Sequence, residues 1–205
     1  MTDRQATVSS IKDGLEWLGR EVTAKDVAIV YFAGHGEVDQ RTNRFYLLPS
    51  EASRERLFST ALSQNDLNIA LELVAGKAIV FLDACHSGAV GTSQARGLGA
   101  TNINDVVKDM ANADNGIVLF TASTGKQVSL EDAAWGNGAF TKALVEGLGR
   151  QGTKGKANVL NNQSITLSEL ETYIAERVKQ LTNGAQSPVL INPKGVPNYP
   201  MALVR

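Results

Sequence analysis

The chain has 205 residues, of which 43% are hydrophobic and 20% are charged, and its 20 Lys and Arg residues nearly balance its 21 Asp and Glu residues. This length suits one large domain or two small ones, and a single α/β domain of this size buries a sizeable core. A net charge of -1 provides no general attraction to nucleic acid or to an anionic membrane.

The chain contains a single cysteine, Cys85, which excludes an internal disulfide. With only two histidines beside it, the usual structural zinc site of four Cys and His ligands is not predicted, and no metal site is proposed. The N-terminal residues have no apolar segment typical of a signal peptide, and no apolar run approaches the length of a membrane span. We therefore expect a cytoplasmic protein, although a piece of a longer chain would look the same.

Short apolar segments alternate with amphipathic segments along the chain. The first amphipathic segment predicts a helix, because Ile11, Leu15, Leu18 and Val22 recur at helical spacing. Three nearly unbroken apolar runs then predict strands that are covered on both faces, as in a parallel sheet. These runs comprise residues 27–32, 78–82 and 116–121.

Helical segments separate and follow these strands. Ser63 is a predicted N-cap with Asp66 three residues later, Phe140 begins an apolar stripe, and Thr166 precedes a fourth helix. A last strand is predicted at 188–191. The alternation predicts an α/β fold with an open, mostly parallel sheet and helices on both faces, formed by a single domain over 1–205.

The two rare residue types lie at the ends of predicted strands. His35 follows the run 27–32 and Cys85 follows the run 78–82, and open α/β sheets bind ligands at this edge. If the two strands are neighbours, the imidazole stands beside the thiol and raises its thiolate fraction. Consecutive side chains at a strand end tend to point apart, so we expect His35, and not His86, to be the base.

Other interpretations of Cys85 are open on these grounds. A lone cysteine at a strand end also suits inert packing in the core. An imidazole between two glycines, as at His35, is harder to explain as packing. A phosphatase loop requires an arginine six residues after its cysteine, and residue 91 is glycine, so that chemistry is excluded.

Longer stretches carry a resemblance to a known family. "YFAGHGE" and "FYLLPSEA", then "IVFLDACHSGAV", "LFTASTGKQVSLED" and "GNGAFTKALVEGL", resemble the caspase-like cysteine peptidases, and the metacaspase and bacterial branch more than the animal caspases. The resemblance covers roughly residues 8 to 203. It implies a three-layer caspase-like fold and an endopeptidase that acts on proteins or peptides. His35 is then the general base, Cys85 the nucleophile, and the backbone N–H groups of Gly36 and Cys85 the oxyanion hole.

The resemblance also suggests the substrate preference. Asp83 lies two residues before Cys85, where metacaspases face the side chain that precedes the scissile bond, and a carboxylate there attracts Arg or Lys. The alternative is that Asp83 caps the turn after its strand. Glu131 and Asp132 add negative charge to the pocket, or are solvated loop acids without a role.

The resemblance places a cleaved linker after the cysteine. We expect a large portion at 1–90, a mobile linker at 91–110 and a small portion at 111–205. Arg96 and Lys108 are candidate self-cleavage sites, although any protease favours exposed loops of small residues. No cofactor is required by the sequence, and calcium activation stays open because no dense acidic loop of the EF-hand type is present.

One departure from the family concerns the first strand. The family fold begins with a central strand and its crossover helix before the helix at 8–20, and this chain has neither. The strand at 27–32 would then expose a long apolar edge, which a larger parent chain or a partner could cover. A non-catalytic caspase-like module that binds or regulates partners in a larger assembly is therefore the alternative function.

Overall fold

The computed structural model describes residues 1–42, 44–86, 117–123, 130–132, 135–150, 153–193 and 196–204. For Cys85 and His86 the description extends to the backbone only. The expected linker at 91–110 lies outside the described residues, so the division into large and small portions stays a prediction. The helices are α1 (Val8–Glu21), α2 (Leu57–Thr60), α3 (Gln64–Glu72), α4 (Ala139–Leu148) and α5 (Leu167–Leu181), and short 3-10 helices lie at Asp3–Gln5 and Arg54–Arg56.

The strands form one central sheet and two small ones. They are β1 (Val27–Asp39), β2 (Arg44–Leu48), β3 (Leu62–Ser63), β4 (Lys77–His86), β5 (Ile117–Thr121), β6 (Glu131–Asp132), β7 (Asn137–Gly138), β8 (Ser164–Thr166), β9 (Val189–Ile191) and β10 (Pro200–Leu203). The central sheet has the order β3-β2-β1-β4-β5-β9, with β1, β4 and β5 parallel and the outer strands antiparallel to their neighbours.

The side chains of the central strands alternate between two apolar layers. Val80 and Leu82 face the layer that also contains Leu15 of α1 and Leu71 of α3. On the opposite face, Phe81 stacks on Phe120 with ring centroids 4.8 Å apart, beneath α4 and α5. Because strands place successive side chains on opposite faces, this pattern requires cover on both sides. The predicted three-layer α/β fold is confirmed.

Side-chain caps start the helices at the predicted positions. The Ser63 hydroxyl accepts a hydrogen bond from the Asp66 N–H at 3.1 Å, at the start of α3. Thr166 and Glu169 form a reciprocal capping box at the start of α5. Among the described residues, the helices are all too short or too polar to cross a membrane.

The two long strands continue past their predicted ends. β1 runs to Asp39 because residues 35–39 pair with β2, which the apolar pattern did not predict as a strand. β4 runs to His86 because its parallel pairing with β1 continues to that residue. His35 and Cys85 therefore lie inside their strands, and the prediction that they lie just beyond the strand ends is wrong.

Over its first eight residues, the outer edge of β1 lacks a neighbouring strand among the described residues. β2 covers residues 35–39 only, so residues 27–34 have no strand partner on the side away from β4 within the described parts of the chain. Val27, Ile29 and Tyr31 are 44%, 56% and 45% exposed there. A groove of about 530 Å³ between this edge and α1 is lined by apolar side chains that include Trp17 and Phe32. This is the exposed edge that the sequence predicted.

Glu146 connects α4 to α5 through hydrogen bonds and an ion pair. Its carboxylate accepts hydrogen bonds from Arg177 Nε at 2.9 Å and from the Tyr173 hydroxyl at 3.1 Å, and the ammonium groups of Lys142 and Lys156 lie 3.5 Å away. Burial favours the neutral acid, but the Arg177 guanidinium and these partners lower the pKa of Glu146 from 4.5 to about 2.

Replacing this carboxylate should weaken the helix pair. We expect Glu146→Gln to reduce the free energy of unfolding by about 1–3 kcal/mol at pH 7, because Arg177 loses a charged acceptor. Since folding lowers the pKa of Glu146, the stabilisation by its carboxylate is complete above pH 4.5 and is lost as the pH falls towards 2. Urea denaturation at pH 7 and at pH 3 measures both effects.

The matched control is Glu176→Gln, an exposed acid next to Arg177 on α5 without an ion pair among the described residues. It should leave the free energy of unfolding within about 0.5 kcal/mol of the wild type. Equal effects of the two substitutions, or a Glu146→Gln effect that does not shrink at pH 3, would contradict the role of Glu146.

Candidate active site

The parallel ladder of β1 and β4 places the two rare residue types next to each other. His35 pairs with Cys85 in register, and Gly34 and Gly36 pair with Ala84 and His86. Adjacent strands lie about 4.8 Å apart, so the backbones of the two predicted catalytic residues are direct neighbours. The side chain of His35 is exposed. The sequence-based prediction required these two strands to be neighbours, and in the structure they are.

The register is continuous over ten residue pairs. It begins with Val27 opposite Lys77 and ends with Gly36 opposite His86. On its other side, His35 pairs with Leu48 of β2, so the imidazole lies on a strand that is held on both flanks. The ladder therefore fixes which residue of β4 stands beside His35.

Asp83 is buried beneath the N-terminus of α4. Its side chain is 7% exposed, and its Oδ2 atom accepts hydrogen bonds from the backbone N–H of Thr141 at 3.2 Å and from the Thr141 hydroxyl. Helix α4 begins after Gly138, which has no side chain with which to cap it. Asp83 supplies from a neighbouring strand the acceptor that an N-cap side chain would normally supply. The sequence suggested a cap for the turn after β4 as the alternative role, and the element that Asp83 caps is α4.

The surroundings of Asp83 change the pKa of its carboxyl group. Burial raises the pKa of Asp83 above its usual value, the two hydrogen bonds from Thr141 oppose this, and the negative charge of Glu131 raises it further. Close packing maintains the burial, because a Cβ atom at Gly138 would lie only 2.8 Å from Asp83 Oδ2.

The other two predicted pocket acids lie on the β6–β7 pair. Glu131 pairs with Gly138, which brings it to the side of Asp83, and its side chain is exposed. Asp132 pairs with Asn137 and its carbonyl accepts the Trp135 N–H at 2.9 Å. The structure thus brings Asp83 and Glu131 together, while Asp132 lies at the turn of the pair.

Two further predictions concern the self-cleavage sites and calcium activation. Arg96 and Lys108, the candidate self-cleavage sites, lie outside the described residues. Within the described parts of the chain, no group of three or more His, Cys, Asp or Glu side chains forms a metal cluster. Calcium activation remains untested.

Comparison with known proteins decides the family. The family model of the caspase domain matches residues 1–194 of this chain, nearly its whole length. The chain belongs to the caspase domain family. Comparison with curated proteins gives no significant match. The predicted membership of the caspase-like cysteine peptidases is thereby confirmed, and it supports a cysteine peptidase in general.

The sequence patterns did not predict a buried glutamine that joins two segments of this caspase domain. Gln186 is fully buried, its side-chain amide donates to the Ala122 carbonyl at 2.8 Å, and its Oε1 accepts the Leu130 N–H at 2.9 Å. It ties the segment just before Glu131 to the end of β5. Nothing in the polar segment around residue 186 predicted this, because the contacts join residues far apart in sequence.

Two hydroxyl residues near Asp83 were also missed. Thr141 follows Phe140 in the first turn of α4, and Tyr31 lies in the apolar run 27–32. Each is a polar group in an apolar segment, and that is the signal that could have drawn attention to them.

The packing of Gly138 against Asp83 can be tested by adding one methyl group. Gly138→Ala should lower the free energy of unfolding by about 1–3 kcal/mol, because the new Cβ displaces a carboxylate that Thr141 holds in place. Urea denaturation gives the value.

Gly19→Ala serves as the comparison. Gly19 lies inside α1, and a Cβ atom there would make an ordinary contact with Leu73 at 3.4 Å. This substitution should therefore stabilise the domain by up to about 1 kcal/mol, because alanine has a higher helix propensity than glycine. A Gly138→Ala variant as stable as the wild type would show that Asp83 is not held against α4.

Proposed function

We propose that this caspase domain is a cysteine endopeptidase of the metacaspase type that cleaves after Arg or Lys, with Cys85 as nucleophile and His35 as general base. The in-register pairing of His35 with Cys85 on adjacent parallel strands is the observation that carries the proposal. A thiol has an ordinary pKa near 8.5 and needs a neighbouring base to attack at neutral pH. Family membership supports a cysteine peptidase in general.

In the proposed reaction, the His35 imidazole takes the proton of the Cys85 thiol, and the thiolate attacks the carbonyl carbon of the scissile bond. The backbone N–H groups of Gly36 and Cys85 stabilise the negative oxygen of the tetrahedral intermediate. The imidazolium then protonates the departing amine, leaving a thioester on Cys85. Water, deprotonated by His35, hydrolyses the thioester and restores the free thiol.

The acidic groups at the end of β4 support the preference for basic substrates. Asp83 lies two residues before Cys85, Glu131 is close enough for its charge to act on Asp83, and Asp132 lies at the adjoining turn. Carboxylates bind guanidinium and ammonium groups with charge-assisted hydrogen bonds and repel acidic side chains.

Self-cleavage and location are part of the same proposal. Cleavage after Arg96 or Lys108 in the 91–110 segment would match a preference for basic residues. A cytoplasmic location is favoured because a reducing compartment keeps the single thiol available.

Hydrolysis of short fluorogenic peptides ending in Arg, Lys or Asp, with and without calcium, tests the proposal. Peptides ending in Arg or Lys should be cleaved, and both Cys85→Ala and His35→Ala should reduce kcat/KM at least about 10³-fold, because the nucleophile or its base is removed. His86→Ala should retain activity, which separates the two histidines.

Asp83→Asn provides the specificity arm of this experiment. It should reduce cleavage after Arg by about tenfold or more, since a buried charge partner for the substrate is lost. Cleavage after Asp in the wild type, or hydrolysis that persists in Cys85→Ala, would overturn the assignment.

A second candidate function has its own support. The edge of β1, which no described strand covers and where Val27, Ile29 and Tyr31 are exposed, favours a non-catalytic caspase-like module that binds a strand of a larger parent chain or of a partner. Backbone N–H and C=O groups on such an edge pair readily with an extended segment.

A synthetic peptide of alternating valine and threonine, about ten residues long with lysines at its ends, probes this edge. Hydrogen exchange should show protection of the amides at 27–34 when the peptide is added. Ile29→Lys should weaken binding, whereas Phe58→Lys, at an apolar position that is 84% exposed elsewhere, should not. Protection without any Cys85-dependent hydrolysis would favour the module, and absence of protection would contradict strand addition.

A further inference from the structure

A chain of two hydroxyl groups ends on the Asp83 carboxylate. The Tyr31 hydroxyl lies 2.6 Å from Thr141 Oγ1, and the Thr141 hydroxyl donates to Asp83 Oδ2. The three residues come from β1, α4 and β4, so the contacts join two adjacent strands to the helix that packs on one face of the sheet. Tyr31 and Thr141 lie 110 residues apart in sequence.

The proton positions follow from the donor count. A threonine hydroxyl has a single proton, and an ionised carboxylate only accepts hydrogen bonds. When Asp83 is ionised, the Thr141 proton points to Asp83, and the Tyr31 hydroxyl then donates its own proton to Thr141 Oγ1. The order is therefore Tyr31 to Thr141 to Asp83, and each donor strengthens the next.

The two carboxylate oxygens of Asp83 differ in their hydrogen bonds. Oδ2 accepts both hydrogen bonds from Thr141, whereas Oδ1 accepts none from the described residues. Gly138 packs against the same carboxylate so closely that a Cβ atom there would lie 2.8 Å from Oδ2 and 3.3 Å from Oδ1, and the group therefore cannot rotate freely. One oxygen is anchored and the orientation of the other is fixed.

We propose that Thr141 and Tyr31 are positioning residues that orient the Asp83 carboxylate so that its Oδ1 receives the guanidinium or ammonium group of the substrate. This inference rests on the proposed function, in which Asp83 binds the basic side chain before the scissile bond. The described hydrogen bonds of both residues lead to Asp83, so each acts on substrate binding through Asp83.

Removing the hydroxyl groups has a defined effect on binding and on its pH dependence. Hydrogen bonds to the ionised form favour it, so loss of the Thr141 hydroxyl should raise the pKa of Asp83 beyond the increase that burial already causes. Binding of a basic side chain requires the ionised acid. It should therefore weaken at a higher pH in the variant than in the wild type as the solution is acidified.

The test measures kcat and KM for peptides ending in Arg, from acid to neutral pH, in the wild type and three variants. Thr141→Val should raise KM about tenfold and Tyr31→Phe about threefold, with kcat little changed, because the lost contact supports binding rather than the chemical step. The rise of KM in acid should begin at higher pH in both. Thr141→Ser, which keeps the hydroxyl, should restore the wild-type values.

Matched controls separate positioning from general damage. Tyr173→Phe removes a hydroxyl bonded to Glu146, and Thr172→Val removes an exposed hydroxyl bonded to the Ser168 carbonyl, and neither group contacts Asp83. Both should leave KM and its pH dependence unchanged. Tyr31→Phe alters no buried volume at its half-exposed position, so it keeps the test valid if Thr141→Val folds poorly.

The outcomes distinguish this inference from the function on which it rests. Unchanged KM in Tyr31→Phe and Thr141→Val, in an enzyme that Asp83→Asn impairs, would overturn the positioning role and leave the proposed function intact. A fall in kcat that Thr141→Ser does not restore would mean a structural role and would also overturn it. A wild type that does not cleave after Arg or Lys, or that Asp83→Asn leaves unaffected, would overturn both.

Discussion

The parallel ladder between β1 and β4 is the constraint on which the candidate site depends. A slip of one residue would send every side chain of one strand to the other face of the sheet and would separate His35 from Cys85. The buried layers prevent such a slip, because Val80 and Leu82 pack under α1 and α3 while Phe81 stacks on Phe120 on the opposite face. The apolar core therefore sets the pairing of two polar residues that contribute little to its stability.

The same logic links the fold to the acidic pocket. Asp83 takes the place of the cap that Gly138 cannot supply to α4, and Glu146 holds the far end of that helix against α5. Burial raises the pKa of Asp83, and the Thr141 hydrogen bonds offset part of this cost. If Asp83 also binds the basic side chain of the substrate, as proposed, its role as a cap couples the placement of α4 to substrate recognition. In this caspase domain, changes to α4 would thus reach the pocket without touching the reacting residues.

The exposed edge of β1 contrasts with the buried surroundings of Asp83. Natural sheets protect long apolar edges. At this edge, however, the side chains of Val27, Ile29 and Tyr31 are exposed, beside a groove lined by Trp17 and Phe32. Tyr31 belongs to both regions, since its ring lies at the edge while its hydroxyl bonds Thr141. A strand that paired with β1 would therefore lie next to the network that reaches Asp83, which gives edge and pocket a physical connection.

The sequence by itself determined the α/β class, the helix starts at Ser63 and Thr166, and the pair of rare residues, because periodicity, capping and strand-end chemistry are local patterns. It did not predict β2 or the extension of β1 and β4, because those depend on pairing between separate segments. Only the tertiary structure decided that His35 pairs with Cys85 across one ladder, that Asp83 caps α4, that Tyr31 bonds to Thr141, and that Gln186 bonds to Ala122. Contacts between residues so far apart in sequence leave no periodic trace, since each residue alone satisfies only the pattern of its own element.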